Sequence, residues 1–537
     1  MPENTTSFDT IVVGAGVAGL TTSAYLTKER RQVLLLEKEE QCGGLVNSFS
    51  HNGFVFDGGI RALENAGILF PMLRQLGINM DFVPNDVTVG MGSDVIKIKS
   101  EQSLDDYQAL LIDYFPNQEK EIREITTAMK KISLYMDIQY GIDNPLFLDP
   151  VKDGKYFLTD VFPWIFRYAF TSNKIKALNL PVRDYLKQMT TDDALLDIIT
   201  QHFFTDTPAF FALSYLKLYL DYYYPKGGTG QFTQQLVELI EKNGGIIHTS
   251  TRIVKVDPME KIVVDSKGNQ YRYKCLVWAA DQYAFYQMIK KDQNINKKTI
   301  QSITRKLNDF QDAKGNDSVL TTYVETDLPP DFFASIASSH FFYTPTIAGE
   351  SIAGPIPIGK SRVQQQQWVE KFLDNTTFEI AIPALRNPAL APHGKTGLIV
   401  SVLFDYALAK DIESNGWYEQ FKILTEKMMV EILDKYIFPG IKNKTRDTFS
   451  STPLSIEQKA GTFQGAITGW SFTNTVRLAE NRLTRISNAV KTPFPDIFQA
   501  GMWTYSPSGF PVSLITGKIA SAQVIKKLKK RLIHNLA

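Results

Sequence analysis

At 537 residues the chain is too long for one ordinary core, and its length implies three or four domain-sized units of soluble, globular composition, 44% hydrophobic and 21% charged. Lys and Arg (58) nearly cancel Asp and Glu (57), so no overall field favours nucleic acid as a partner. The two cysteines, Cys42 and Cys275, exclude a disulfide framework and fit a reducing compartment.

In chain order, residues 9–13 read as a buried parallel strand and residues 18–27 as a helix. Gly14, Gly16 and Gly19 lie on the turn between them. In that context the first glycine allows the tight turn, the second lets backbone approach a pyrophosphate, and the third lets helix and strand pack closely. The free N–H groups and partial positive charge of a helix N-terminus then favour phosphate. A second apolar strand, "QVLLLEK" (32–38), ends in Glu37, 18 residues after Gly19, within the expected reach of ribose hydroxyls. FAD and NAD share this fingerprint. Two further glycine pairs, Gly43/Gly44 and Gly58/Gly59, follow at once, and additional close approaches of backbone suit a ligand longer than one ribose-pyrophosphate.

Farther on, "EKEIREITTAMKKISLYM" (119–136) has helical apolar spacing. The aromatic segments 156–170 and 202–224 read either as core helices or as the wall of an apolar tunnel or a membrane-facing surface. The runs 318–326, 378–385 and 397–406 alternate as strands, and the Gly/Pro-punctuated segment 351–367 is expected to be a mobile loop or lid. The last helix ends in Lys526, Lys527, Lys529, Lys530 and Arg531 among apolar Val524, Ile525, Leu528, Leu532 and Ile533. This pattern suits a solvated helix end, or a peripheral contact with anionic lipid. The N-terminus "MPENTTSFDT" lacks a signal-peptide pattern and no 18 apolar residues run unbroken, so the expected location is cytoplasmic, with membrane association at most peripheral.

Taken together, the glycine fingerprint, the acid-ended strand, the Gly-Gly pair and "GFVFDGG" resemble the FAD-dependent amine-oxidase and phytoene-desaturase superfamily. "YYPKGGTGQFTQQLVELIEKNGGIIHTSTRIVKVD" (223–257), "PALAPHG" (388–394), "STPLSIEQKAGTFQGAITG" (451–469) and "DIFQAGMWTYSPSGFPVSLITGKIASAQVI" (496–525) are similar, in the same order, to segments of its phytoene-desaturase branch, which includes carotenoid desaturases and retinol-saturase-like enzymes. The resemblance implies an α/β fold: a discontinuous Rossmann-like FAD-binding domain (1–105, 225–290 and 450–537) with an inserted substrate domain. The first insert, 106–224, would be helical and membrane-facing, and the second, 291–449, would hold a mixed sheet. It also implies that Gly14, Ala15, Gly16 and Gly19 hold the pyrophosphate and Glu37 the adenosine ribose. Gly43 and Gly44 would line the ribityl path, Gly58 and Gly59 would lie near the isoalloxazine, and Val254 would meet the adenine. Gly501, Met502, Pro511 and Val512 would cover the pyrimidine end. Many members carry Arg after the first Gly-Gly pair; here Leu45 stands there, so that phosphate or flavin contact is either missing or supplied elsewhere, by Lys38 or Arg61.

FAD would then be the reactive centre, because six histidines and two cysteines show no metal-ligand spacing. The resemblance points to desaturation, saturation or isomerisation of carbon–carbon bonds in a lipophilic polyene, isoprenoid or fatty-chain substrate. By motif position the catalytic candidates are Arg61 and Tyr505, while His340 and His393 are expected to be structural. Two competing readings are an amine oxidase and a non-catalytic prenyl- or lipid-binding chaperone resembling the GDP-dissociation inhibitors.

Overall fold

The computed structural model describes residues 7–289 and 295–536; the N-terminal reading on residues 1–6 lies outside them. The core strand Ser7–Val13 pairs in parallel with Val33–Leu36 on one side and with Gln270–Trp278 on the other. Ile246–His248 adds in parallel beyond Val33–Leu36, and Ile497–Gln499 beside the C-terminal half of Gln270–Trp278. The antiparallel strands Ile262–Asp265 and Ile253–Asp257 complete this first sheet from the other half of Gln270–Trp278. Helices cover both faces of a parallel sheet, so its strands are apolar throughout; all four residues of Val33–Leu36 are buried. Helices Val17–Lys28, Gly230–Lys242 and Phe510–Leu536 pack one face through Leu20, Leu236 and Leu514. Ile11, Leu34, Phe285 and Trp503 pack the other. Strands and helices far apart in sequence thus share one core, and the Rossmann-like domain is discontinuous.

The second sheet runs in the order Thr445–Ser451, Ser318–Thr326, Thr396–Phe404, Phe378–Ala381, His340–Thr344, Val87–Met91, Asp94–Ile98. All its pairings are antiparallel except His340–Thr344 with Val87–Met91. One face carries Phe341, Ile380, Val400 and Leu320 beneath helices Arg362–Leu373 and Tyr418–Tyr436.

Several expectations change here. Residues 87–98, read with the first 105 as part of the nucleotide domain, belong to the second sheet, because their free edge is filled by His340–Thr344. The strand read over 378–385 ends at Ala381; Pro383, which lacks an N–H, opens a 3-10 turn over Pro383–Leu385. The segment 351–367 is tied down rather than loose. Ser361 caps helix Arg362–Leu373, Gly359 N–H donates to Asp411, and Trp368 Nε1 donates to the Gly354 carbonyl. The helix read over 119–136 spans Glu119–Tyr140. The aromatic segments part company. Residues 209–225 turn through two short helices into the strand Tyr222–Pro225, mostly buried, whereas the helix Phe162–Ala177 leaves its three phenylalanine rings outside.

Candidate active site

The first glycine turn has three different reasons for its glycines. Gly14 holds φ +97°, and a Cβ there would stand 2.8 Å from the Ala279 carbonyl oxygen. A Cβ on Gly19 would lie 1.8 Å from the Gly14 carbonyl oxygen, so helix and turn touch with no room for a side chain. Gly16, at φ −71°, is different: a Cβ there would meet nothing within 4 Å. Its bareness serves the space in front of it. Gly16 also caps helix Val17–Lys28 with no side-chain hydrogen bond, so the first-turn N–H groups are without a side-chain acceptor.

The segment after Glu37 closes on this turn. Gly43 N–H donates to the Ala15 carbonyl at 2.8 Å, and Gly16 and Gly43 form an isolated bridge. Gly44, at φ +58°, has its Cβ position 3.3 Å from Gly16 Cα. Glu37 is buried; its Oε2 accepts from Ala15 N–H at 2.6 Å and its Oε1 from Glu39 N–H at 3.0 Å. The loop 249–251 folds onto the same acid, Thr251 N–H donating to the Glu37 carbonyl. Val254 follows at a β-bulge, with its side chain exposed. At the other end of the chain Gly501, at φ +103°, brings its Cβ position to 3.5 Å from the Ala18 side chain and donates its N–H to Thr516 Oγ1. Met502 follows, and Pro511 and Val512 lie in the first turn of helix Phe510–Leu536, which packs against helix Val17–Lys28 where a Gly517 Cβ would come within 2.7 Å of Ala18 O.

These residues fit a dinucleotide: an open Gly16 cradle, uncapped N–H groups and a buried carboxylate line one end of the first sheet. The second glycine pair behaves otherwise. A Gly58 Cβ would lie 2.1 Å from Asn47 Oδ1, and a Gly59 Cβ 2.2 Å from the Leu45 carbonyl. Gly58 and Ile60 N–H groups donate to Asn47 and Leu45. This pair is therefore required by the chain's own packing on residues 45–47, not by a bare approach to ligand.

Lys38 turns to the Gln458 carbonyl (2.9 Å) and to Glu39 (3.0 Å). Arg61 is buried; its Nη1 donates to the Asp57 carbonyl at 2.8 Å and to the Gly59 carbonyl, and its Nη2 to Ser401 Oγ at 3.1 Å. It braces the loop that carries the second glycine pair against the second sheet. Tyr505 is buried, and burial, then neighbouring Tyr140, Tyr168 and Glu480, push its hydroxyl above the ordinary range.

Two constellations were not singled out from sequence. The first is Asp57, fully buried. Its Oδ1 accepts from Ser48 Oγ (2.8 Å), Thr229 N–H and Thr229 Oγ1 (both 2.9 Å), and its Oδ2 from Tyr224 OH (2.7 Å). One carboxylate thereby locks "FVFDGG" to "YYPKGGTG". Both motifs are visible in the sequence, but not their contact.

The second is the inner face of the second sheet. Direct opposition places Phe342, Glu379, Ser401 and Thr321 in one row across four strands. Arg61 reaches this row at Ser401, whose Oγ is 2.8 Å from Thr321 Oγ1. Beside it, Arg386 Nε donates to Asn85 Oδ1 at 2.6 Å, which leaves Asn85 Nδ2 to donate to His340 Nδ1 at 2.9 Å. His340 must then carry its proton on Nε2 and donate it to Glu379 Oε1, 2.9 Å away. Burial lowers the His340 pKa, outweighing the hydrogen bond and charge of Glu379, which raise it. Burial works against the Glu379 charge, but the His340 hydrogen bond and the nearby Arg61 and Arg386 charges outweigh it and hold the carboxyl below its usual range. The expectation that His340 is structural fits its burial, and its role is to orient Glu379. His202 nearby is pushed down to about 4 by burial, with Glu379 acting weakly in the opposite direction. Glu64 is pushed up to about 7 by burial and by Asp221, against a hydrogen bond with Tyr222.

Among the described residues the one group with metal-ligand geometry is His51, Glu325 and Asp447, and His51 Nδ1 is already 2.7 Å from Glu325. No helix among the described residues is long and apolar enough to cross a membrane.

A family model described as an NAD(P)-binding Rossmann-like domain matches residues 12–76. The inactive all-trans-retinol 13,14-reductase of Danio rerio is 25% identical over 289 residues; the chain spans 44% of that protein's length, and the alignment takes in 50% of this chain. Prolycopene isomerase 1 of an Oncidium hybrid cultivar is 23% identical over 82% of this chain and 72% of its own. The all-trans-retinol 13,14-reductase of Danio rerio is 24% identical over 86% of this chain and 77% of its own. Among solved structures, an oxidoreductase from Methanosarcina mazei superposes with TM-score 0.60 at 14% identity, covering 97% of this chain and 100% of that one. Cyclohexylamine oxidase from Brevibacterium oxydans gives 0.59 at 12%, covering 97% and 99%. At such identities these two show a shared fold. The chain is accordingly similar to prolycopene isomerases and all-trans-retinol 13,14-reductases over most of its length, and its residues 12–76 match an NAD(P)-binding Rossmann-like domain.

Proposed function

We propose that the protein is an FAD-dependent oxidoreductase acting on carbon–carbon bonds of a lipophilic polyene, isoprenoid or fatty-chain substrate, by desaturation, saturation or isomerisation. The observation that carries this reading is the convergence of Gly16, Gly43, Gly44, Glu37 and Gly501 around one end of helix Val17–Lys28. A lone nicotinamide domain has no need of Gly501, some 480 residues away, at the same place. Relatives named for prolycopene and all-trans-retinol support the substrate class.

In this reading Ala15, Gly16, Gly43 and Gly44 hold the pyrophosphate side of FAD, Glu37 its adenosine ribose, and the 501–512 loop its other end. The flavin, when bound, supplies hydride acceptance and donation at carbon. The chain's own part is to exclude water and to hold charge. Asp57 fixes the loop from which Arg61 reaches Ser401. Glu379, held ionised by His340, is the carboxylate on the inner sheet face available to hold or move a proton at its oxygens.

Purified protein is expected to absorb as an oxidised flavin and to release FAD on denaturation. Incubation with prolycopene or all-trans-retinol under reducing and oxidising conditions, with product analysis by chromatography, then reads the reaction. Colourless protein that does not take up FAD overturns the reading. Flavin that responds to amines, while these polyenes leave it unchanged, overturns the substrate class.

A further inference from the structure

We propose that the helix Phe162–Ala177, with the π turn Phe157–Val161 that leads into it, is an interfacial helix that lies on an anionic lipid bilayer. Its two sides differ in a way no buried helix requires. Val161, Trp164, Tyr168, Thr171 and Ile175 point inward at helical spacing, and Trp164 Nε1 donates to the Ile138 carbonyl of the neighbouring helix. Leu158, Phe162, Ile165, Phe166 and Phe170 form the opposite stripe, at i, i+4, i+7, i+8 and i+12, with exposures from 49% to 82%. Isolated exposed hydrophobics are ordinary; a contiguous ridge of three phenylalanines with Leu and Ile marks an interaction surface.

The occupant follows from charge and shape. Between Val161 and Leu180 the sequence holds no Asp or Glu, while Arg167, Lys174 and Lys176 are exposed along the flanks of the ridge. Asp160, in the leading turn, is the single acid of residues 157–180, so an apolar stripe flanked mainly by cations matches acyl chains beneath anionic headgroups.

The C-terminal basic helix is less suited. Its apolar Val524 and Leu528 are packed in the core, and Lys527 and Arg531 pair with Asp496. The proposal deepens the function proposed above by naming where its substrate is drawn from, and its test does not read flavin chemistry.

The test is flotation of the full-length protein with phosphatidylcholine vesicles, with and without phosphatidylserine. Wild type is expected to float with the anionic vesicles, and less so as salt is raised. The double variant Phe166→Asp/Phe170→Asp should lose roughly tenfold or more of that binding, from the cost of two apolar contacts. Circular dichroism should be unchanged, because both rings are exposed. Lys529→Ser/Lys530→Ser should bind almost as wild type. The proposal is overturned by absent flotation, by equal binding of the Phe double variant, or by loss confined to the Lys529/Lys530 variant. It is also overturned if sedimentation shows a dimer that the Phe substitutions dissociate, since the ridge would then be an interface between copies. A failed cofactor reading shows separately, as missing flavin absorbance with flotation intact.

Discussion

Gly16→Ala and Gly19→Ala separate glycines that serve a ligand from glycines that serve the fold. At Gly16 the backbone is already in a region any residue adopts (φ −71°, ψ 178°), and a Cβ there meets nothing within 4 Å. Alanine should therefore leave the apo fold intact and stabilise it by about 0.4–1 kcal/mol, through lower entropy of the unfolded chain. The same methyl stands where a pyrophosphate must approach bare backbone, so FAD affinity is expected to fall by roughly ten- to a hundredfold, about 1.4–2.7 kcal/mol. At Gly19 a Cβ would lie 1.8 Å from the Gly14 carbonyl oxygen, far inside contact distance. The helix must shift to accept it, at a cost of about 1–3 kcal/mol in stability. Urea denaturation of FAD-free protein measures the first quantity, and fluorescence titration with FAD the second. Equal destabilisation of the two variants, or unchanged FAD affinity in Gly16→Ala, would refute the assignment of the open space at Gly16 to a cofactor.

Three other outcomes follow from the geometry. Asp57→Asn replaces an acceptor of four hydrogen bonds by a group that can accept at one oxygen and brings two donors among donors; denaturation should show a loss of about 3–5 kcal/mol, and a loss below about 1 kcal/mol would show that the motif contact is dispensable. Glu64 has its folded pKa raised from 4.5 to about 7, so the native state binds the extra proton and stability falls as pH rises between those values; Glu64→Gln should match wild type near pH 4, exceed its stability at pH 8 and show a flatter pH–stability curve across that window. Glu379→Gln keeps an oxygen for His340 Nε2–H but removes the charge, so flavin content and Tm should hold while turnover of the polyene falls at least roughly tenfold; unchanged turnover would remove Glu379 from the chemistry.

Features carried by short stretches were legible from the residues alone. The strand–turn–helix of residues 7–28 and the acid at its second strand need only local periodicity and glycine placement, and the strand over 318–326 was bounded to the residue. The shared order of motifs along the chain pointed to the discontinuous domain. What remained hidden is pairwise. Gly58 and Gly59 look like a second cofactor approach, yet Asn47 and Leu45 occupy the space beside them. The strands at 87–98 look like part of the first domain, yet their hydrogen-bonding edge is completed by residues 340–344. Glu379 and His340 are unremarkable in a strand alternation until register sets Glu379 opposite Ser401 and an amide orientation fixes the His340 tautomer. Likewise two aromatic segments of similar composition differ only in what packs over them: one is enclosed, the other left bare. Local propensity and spacing act through a few neighbouring residues, so the sequence by itself determined the elements and the nucleotide fingerprint. Burial, register and hydrogen-bond partners depend on groups hundreds of residues apart, and only the tertiary structure decided which carboxylates, rings and glycines face one another.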